Sequence, residues 1–364
     1  MQSLFAFNQC KEANHSLALD LIEERFQPDL NSMLVQDKEL LRSQKKIALQ
    51  LFEKRFKGKD LTESLDPKIE KAIVDALDLF NNGVRKDQEF LSKNIILEIE
   101  KLTGLYLNVL QLLVEFTALA AAERKVNHSN FVNHPILKAI MANEEFNAQL
   151  LKLGEGWQKR KDLVRGWFKD IIKEDTLYQE FIAEHNPKEE SQKVVIKHLV
   201  RKLILGAGSI NDFFEDQDIR WAEDRDIIKS LVDKTLKSFD GNKVAIQKMS
   251  LDWEDDKEFI NKLFKNTITL DDEYKQLIAK NTKNWEVERL PLTDRAILEM
   301  ALSEMIHFPN IPVKVTINEY IELSKEYSTP KSRQFVNGIL DVMSKTMKDS
   351  GAIKKSGRGL IDNK

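Results

Sequence analysis

From Asp87 to Val126 the sequence runs without a proline and with a single glycine, Gly104. A stretch of that length with unbroken apolar periodicity is a long helix, because strands of globular domains end after a few residues. The same shortage of breakers holds elsewhere. Only 13 glycines and 8 prolines punctuate 364 residues, and alternating β-branched runs are hard to find. The expected fold class is all-α.

The length permits one large or two ordinary domains, and 42% hydrophobic with 32% charged residues fits a globular chain. The net charge of −3 means that affinity for nucleic acid must come from local clusters of Lys and Arg. Cys10 is the only cysteine, so internal disulfides and thiolate metal clusters are excluded and a reducing, cytoplasmic compartment is expected. Residues 1–9 lack the basic-then-apolar pattern of a secretory leader. Segment 105–122 comes nearest to a membrane span, but Asn108, Gln111 and Glu115 would be costly in hydrocarbon. It is expected as a buried core helix, with no membrane partner.

Met1, Leu4 and Phe5 stand at helical spacing with no N-cap before them, as if the chain began inside an element, and Pro28 closes that segment. Helices are expected at 32–57 and at 67–80, the latter stopped by Asn81-Asn82-Gly83. Others follow at 87–126, 135–153, 157–183, 189–205, 210–239, 255–266 and 271–282. Thr293 is expected to cap the next helix, residues 313–315 to be extended after Pro312, and Thr316 or Asn318 to begin another helix. The last helix spans 331–347, and a basic tail, 348–364, is expected to be flexible.

Little in the sequence suggests catalysis. The six histidines include no i, i+4 pair and no HExxH, and Cys10 lacks a nucleophile signature. The GxG of Leu205-Gly206-Ala207-Gly208-Ser209 has no third glycine and no βαβ context, so a loop is expected there. No enzyme activity, metal or cofactor is expected.

One segment is more specific. It contains Asp294-Arg295-Ala296-Ile297-Leu298, then Pro312-Val313-Lys314-Val315-Thr316-Ile317-Asn318-Glu319-Tyr320-Ile321-Glu322-Leu323-Ser324-Lys325, then Phe335-Val336-Asn337-Gly338-Ile339-Leu340-Asp341. In order and spacing these resemble the C-terminal half of the NusB family of transcription antitermination factors. More faintly, 259–268 resembles the family's preceding helix, and Met1-Gln2-Ser3-Leu4-Phe5 resembles the second half of its first helix. The resemblance implies a NusB-like helical bundle made of 1–26 and 251–347, with 27–250 as a large inserted helical domain.

It further implies a non-catalytic RNA-binding factor, without a cofactor, that pairs with ribosomal protein NusE on boxA-type RNA and joins an RNA polymerase antitermination complex. Carried onto this chain, the family's RNA contacts fall at Gln2, Phe5, Lys331, Arg333, Phe335 and Asn337, and its partner contacts at Asp294 and Glu304. Lys331 and Arg333 suit phosphates. Phe335 suits either a stacked unpaired base or the core. The arginine cluster that opens the family's first helix is missing, since the earliest basic residue is Lys11. Two other readings remain: a helical interaction scaffold without RNA binding, and the NusB-like part of an rRNA cytosine methyltransferase. The latter needs a Gly-rich cofactor loop and a Cys nucleophile.

Overall fold

The computed structural model describes residues 1–29, 31, 33, 35–58, 66–154, 156–206, 208–269, 276–280 and 290–363. Every regular element among them is helical. In chain order the helices are α1 (Gln2–Arg25), α2 (Lys38–Phe56), α3 (Pro67–Ala122), α4 (Ser129–Val132), α5 (Pro135–Met141), α6 (Glu144–Leu153) and α7 (Lys161–Trp167). They continue with α8 (Thr176–Ala183), α9 (Glu189–His198), α10 (Ser209–Gln217), α11 (Trp221–Lys237), α12 (Trp253–Thr269), α13 (Leu292–His307), α14 (Val313–Tyr327) and α15 (Pro330–Asp349). The chain divides into two compact units, one made of Met1–Ile96 with Glu254–Lys364, the other of Leu97–Trp253.

In the first unit, α1 and α2 pack on the start of α3 through Ala18, Ile22, Phe52, Ile73 and Ala76. Asp37 begins α2 by accepting from the backbone N–H groups of Glu39 and Leu40, so the helix starts later than the sequence suggests. The expected stop at Asn81-Asn82-Gly83 does not occur, and α3 runs straight through it. A Cβ at Gly83 would lie 2.2 Å from Asn14 Oδ1 of α1, and Asn14 Nδ2 donates to Asp87 Oδ2 at 2.6 Å. The glycine permits a close helix crossing rather than a cap, an outcome that local sequence does not distinguish.

The opening of α1 returns to the terminal helices. Leu4 and Phe7 pack with Leu91 and Phe264, and the Phe7 and Phe264 rings meet edge-to-face at 6.2 Å. Met1 lies against the core formed by α13, α14 and α15, whose centre is Ile297, Leu298, Leu302, Val336 and Leu340. Two expectations here give way. Thr293 lies inside α13, which begins at Leu292, and 313–315 is the first turn of α14, with Pro312 as N-cap. Pro312 itself keeps an extended ψ of 141° and the helix begins at the next residue, so the Pro312 signal marks a helix start rather than an extended piece. The helix expected at 271–282 lies mostly outside the described residues.

Residues 350–361 are docked rather than trailing. Ile353 enters the bundle core, Lys355 Nζ donates to the Phe308 carbonyl at 2.9 Å, and the Ser356 N–H donates to the Pro309 carbonyl at 3.0 Å. A Cβ at Gly359 would sit 2.0 Å from the Pro309 oxygen, so the close approach requires glycine.

In the second unit the C-terminal part of α3 is the central core helix. By length and composition α3 could cross a membrane, yet Leu107, Leu110, Leu112, Leu113 and Phe116 are buried among the surrounding helices. The helix expected over 157–183 is broken into a 3₁₀ turn (Gly156–Arg160), α7, a π-helical turn (Phe168–Ile172) and α8. Asp175 restarts it by accepting from the Tyr178 N–H at 2.9 Å. Helix α9 likewise passes into a π-helical turn, Leu199–Ile204.

His134 is 1% exposed, and its Nε2 donates to the Gln192 carbonyl at 2.9 Å, which leaves Nδ1 without a partner among the described residues. Burial lowers its pKa from 6.5 to about 4. Between those values the unfolded chain takes up a proton that the folded unit refuses, so this stabilisation is present above pH 6.5 and is lost on acidification. The expected loss is about 3 kcal/mol by about pH 4. Thermal melts against pH should show it, and His134→Gln, which keeps a donor without a proton site, should flatten the profile. An unchanged slope in that variant would remove His134 as the cause.

Candidate nucleic-acid interface

Helix α15 begins where Thr329 accepts from the Ser332 N–H at 3.2 Å and Pro330 occupies the first helical position. Its inward stripe is Val336, Ile339, Leu340, Met343 and Met347. At 3.6 residues per turn the opposite face carries Lys331, Gln334, Gly338 and Val342, all exposed. Phe335 sits at one edge of that face, half-buried against the bundle core, while the exposed Arg333 and Asn337 line the other edge. Phe335 is thus neither fully enclosed nor fully exposed, between the two alternatives the sequence left open. A Cβ added at Gly338 would meet nothing within 4 Å, so packing within the described chain does not require glycine there.

Gln2 and Phe5 share the outward face of α1, and Phe5 is 49% exposed. Helix α13 packs against both α1 and α15, so it bridges the two groups of candidate contacts. Phe5 borders a cleft of about 50 Å³ shared with Glu12 of α1 and with Leu292, Arg295 and Glu299 of α13. Arg295 Nε lies 3.2 Å from Glu299 Oε1. With two acids beside one arginine, this cleft does not favour phosphate.

The candidate partner residues lie inside the bundle. Asp294 is 1% exposed, and its Oδ1 accepts from Ser328 Oγ at 2.5 Å, tying the first turn of α13 to the end of α14. Glu304 is 6% exposed and accepts from Thr316 Oγ1 at 2.7 Å and from Tyr320 Oη at 3.1 Å. Burial raises the Glu304 pKa, opposed by those two hydrogen bonds and by the charge of Lys355. In this structure neither acid is available for direct contact; both hold helices together.

Lys354 and Arg358, expected from the sequence on a flexible basic tail, are exposed cations on a segment fixed to the bundle. The available signal was the apolar Ile353, with Gly357 and Gly359, in a stretch rich in Lys and Arg.

The NusB family model matches residues 221–345, beginning on α11. Among curated relatives, the transcription antitermination protein NusB of Chloroherpeton thalassium is 46% identical over 76 residues, covering 21% of this chain and 36% of that protein. The protein of the same name from Salinibacter ruber is 44% identical over 75 residues, covering 21% and 47%. The chain thus spans less than half the length of these two relatives. A solved structure of T. maritima NusB aligns at 25% identity over 42% of this chain and 90% of that one, with a TM-score of 0.25. Asp294, Glu304 and Phe335 thus all fall within residues 221–345, the segment that the NusB family model matches.

Proposed function

We propose that this protein is a non-catalytic RNA-binding antitermination factor that pairs with ribosomal protein NusE on boxA-type RNA of ribosomal transcripts and acts in the cytoplasm within an RNA polymerase complex. The observation that carries the reading is the solvent side of α15, which presents the exposed Lys331 and Arg333, a half-buried Phe335 and a glycine, Gly338, with open space above it. Cations neutralise phosphates, an aromatic edge receives an unpaired base, and a residue without a side chain lets the nucleic acid reach the helix backbone.

The test is a titration of the full chain with a boxA-type RNA, with and without NusE, across a salt series. The reading expects specific binding whose log affinity falls with log salt by about 0.7 per phosphate contacted, and a flatter slope in a Lys331→Ala/Arg333→Ala variant. Binding to NusE without affinity for RNA would favour the interaction-scaffold reading instead.

Gly338→Ala supplies a sharper prediction. A mid-helix glycine costs roughly 0.5–1 kcal/mol relative to alanine, so the variant should melt at a higher temperature. The added methyl meets nothing in the free protein but occupies the space reserved for RNA, so affinity should fall. A stabilised variant with unchanged affinity would remove this face from the interface.

A further inference from the structure

We propose that the second unit carries an RNA-binding surface of its own, formed by the cation row Lys161, Arg165 and Lys169 together with the Arg160–Phe213 stack. It lies wholly within Leu97–Trp253, apart from α15, so it stands or falls independently of the contacts proposed above. From Lys152 to Lys169 the chain places six cations against two acids, in a protein whose net charge is −3. Such local excess attracts a polyanion.

Helical geometry orders these charges. Lys161 and Arg165 on α7 and Lys169 on the following π-helical turn are spaced at i, i+4 and i+8, and all three are exposed. They form a row with about 6 Å between successive positions. Arg165 contacts Asp162 at 3.1 Å and Lys169 contacts Asp170 at 3.8 Å, but these side chains are at least 66% exposed, so the pairs exchange readily for phosphate. Leu163 is also solvent-exposed here, and Gly166 has no atom within 4 Å of an added Cβ, which leaves the face low and open.

What favours RNA over another polyanion is the neighbouring planar chemistry. The Arg160 guanidinium lies over the Phe213 ring, 5.0 Å from its centroid, and its Nη2 donates to Gln217 Oε1 at 2.9 Å. Arg160 is held over the ring by this contact and hydrogen bond while remaining exposed, a platform on which an unpaired base can stack. Beside it is a cleft of about 90 Å³ lined by Trp157, Phe213, Asn108 and Gln217. That volume admits the edge of a base or a ribose hydroxyl, and the amides of Asn108 and Gln217 can pair with either. An acidic peptide would use the cations but not the platform.

The test uses the full chain, an unstructured uridine-rich RNA, and anisotropy across a salt series. Lys161→Ala/Arg165→Ala/Lys169→Ala should lower affinity at least ten-fold and flatten the log–log salt slope by about 2, while thermal melts stay unchanged. Arg160→Lys keeps the charge and should weaken binding several-fold with the slope intact. Unchanged affinity and slope in the triple variant would overturn the proposal, as would equal affinity for polyglutamate of the same length. Loss confined to Lys331→Ala/Arg333→Ala would overturn this surface alone. Loss confined to the triple variant would support it and count against the α15 site.

Discussion

Glu304→Ala is expected to cost the terminal bundle about 3 kcal/mol, because it leaves two buried hydroxyls without their acceptor and opens a void. Against a total stability of about 5–15 kcal/mol for a typical domain, that is a large fraction. Thr316 and Tyr320 both donate to this carboxylate, so its removal loosens the whole pairing of α13 with α14. Glu304→Gln keeps the volume and one acceptor, and the hydroxyls can turn to receive its amide, so it should cost much less. Urea denaturation followed through the bundle would separate the two. If alanine and glutamine proved equally mild, the acid would have no structural role and its part would be sought at the surface.

The pH dependence of this acid has the opposite sign to that of His134. Its raised pKa means that the folded bundle keeps a proton after the unfolded chain has lost it, so this contribution declines as pH rises above the ordinary carboxylate value of 4.5. Acidification from neutrality therefore weakens the second unit through His134, whereas through Glu304 it favours the folded first unit.

Phe335→Leu should lower RNA affinity roughly five- to hundred-fold, since a stacked base is worth about 1–3 kcal/mol. Phe335 also touches the core, and alanine would confound the two roles. Leucine retains most of the buried contact and removes only the ring. Anisotropy together with a thermal melt decides the matter: weakened binding at nearly constant melting temperature assigns the ring to RNA, and wild-type binding assigns it to packing.

The all-α character was legible because few prolines and glycines interrupt the apolar periodicity, and the NusB-like segment because its pieces keep their order. Helix boundaries were less legible, for reasons that lie in partners distant in sequence. Gly83 reads as a stop until Asn14 is seen to occupy the space a side chain would fill. The chain after residue 349 reads as a loose tail until Ile353 and Gly359 are seen against the bundle. Site residues divide in the same way. Lys331, Arg333 and Asn337 are exposed as their helix position allows, whereas Asp294 and Glu304 turned inward because Ser328, Thr316 and Tyr320, on another helix, satisfy them. No spacing rule along one helix reveals which acid its neighbour will receive.

The most direct test of the central claim is photo-crosslinking of the full chain to boxA-type RNA carrying 4-thiouridine, with the adducts mapped by peptide mass spectrometry. Adducts are expected within residues 331–338 of α15, centred on Phe335, with a second group near Phe5. An RNA that binds tightly yet yields no adduct in 331–338 would contradict the assignment of that face.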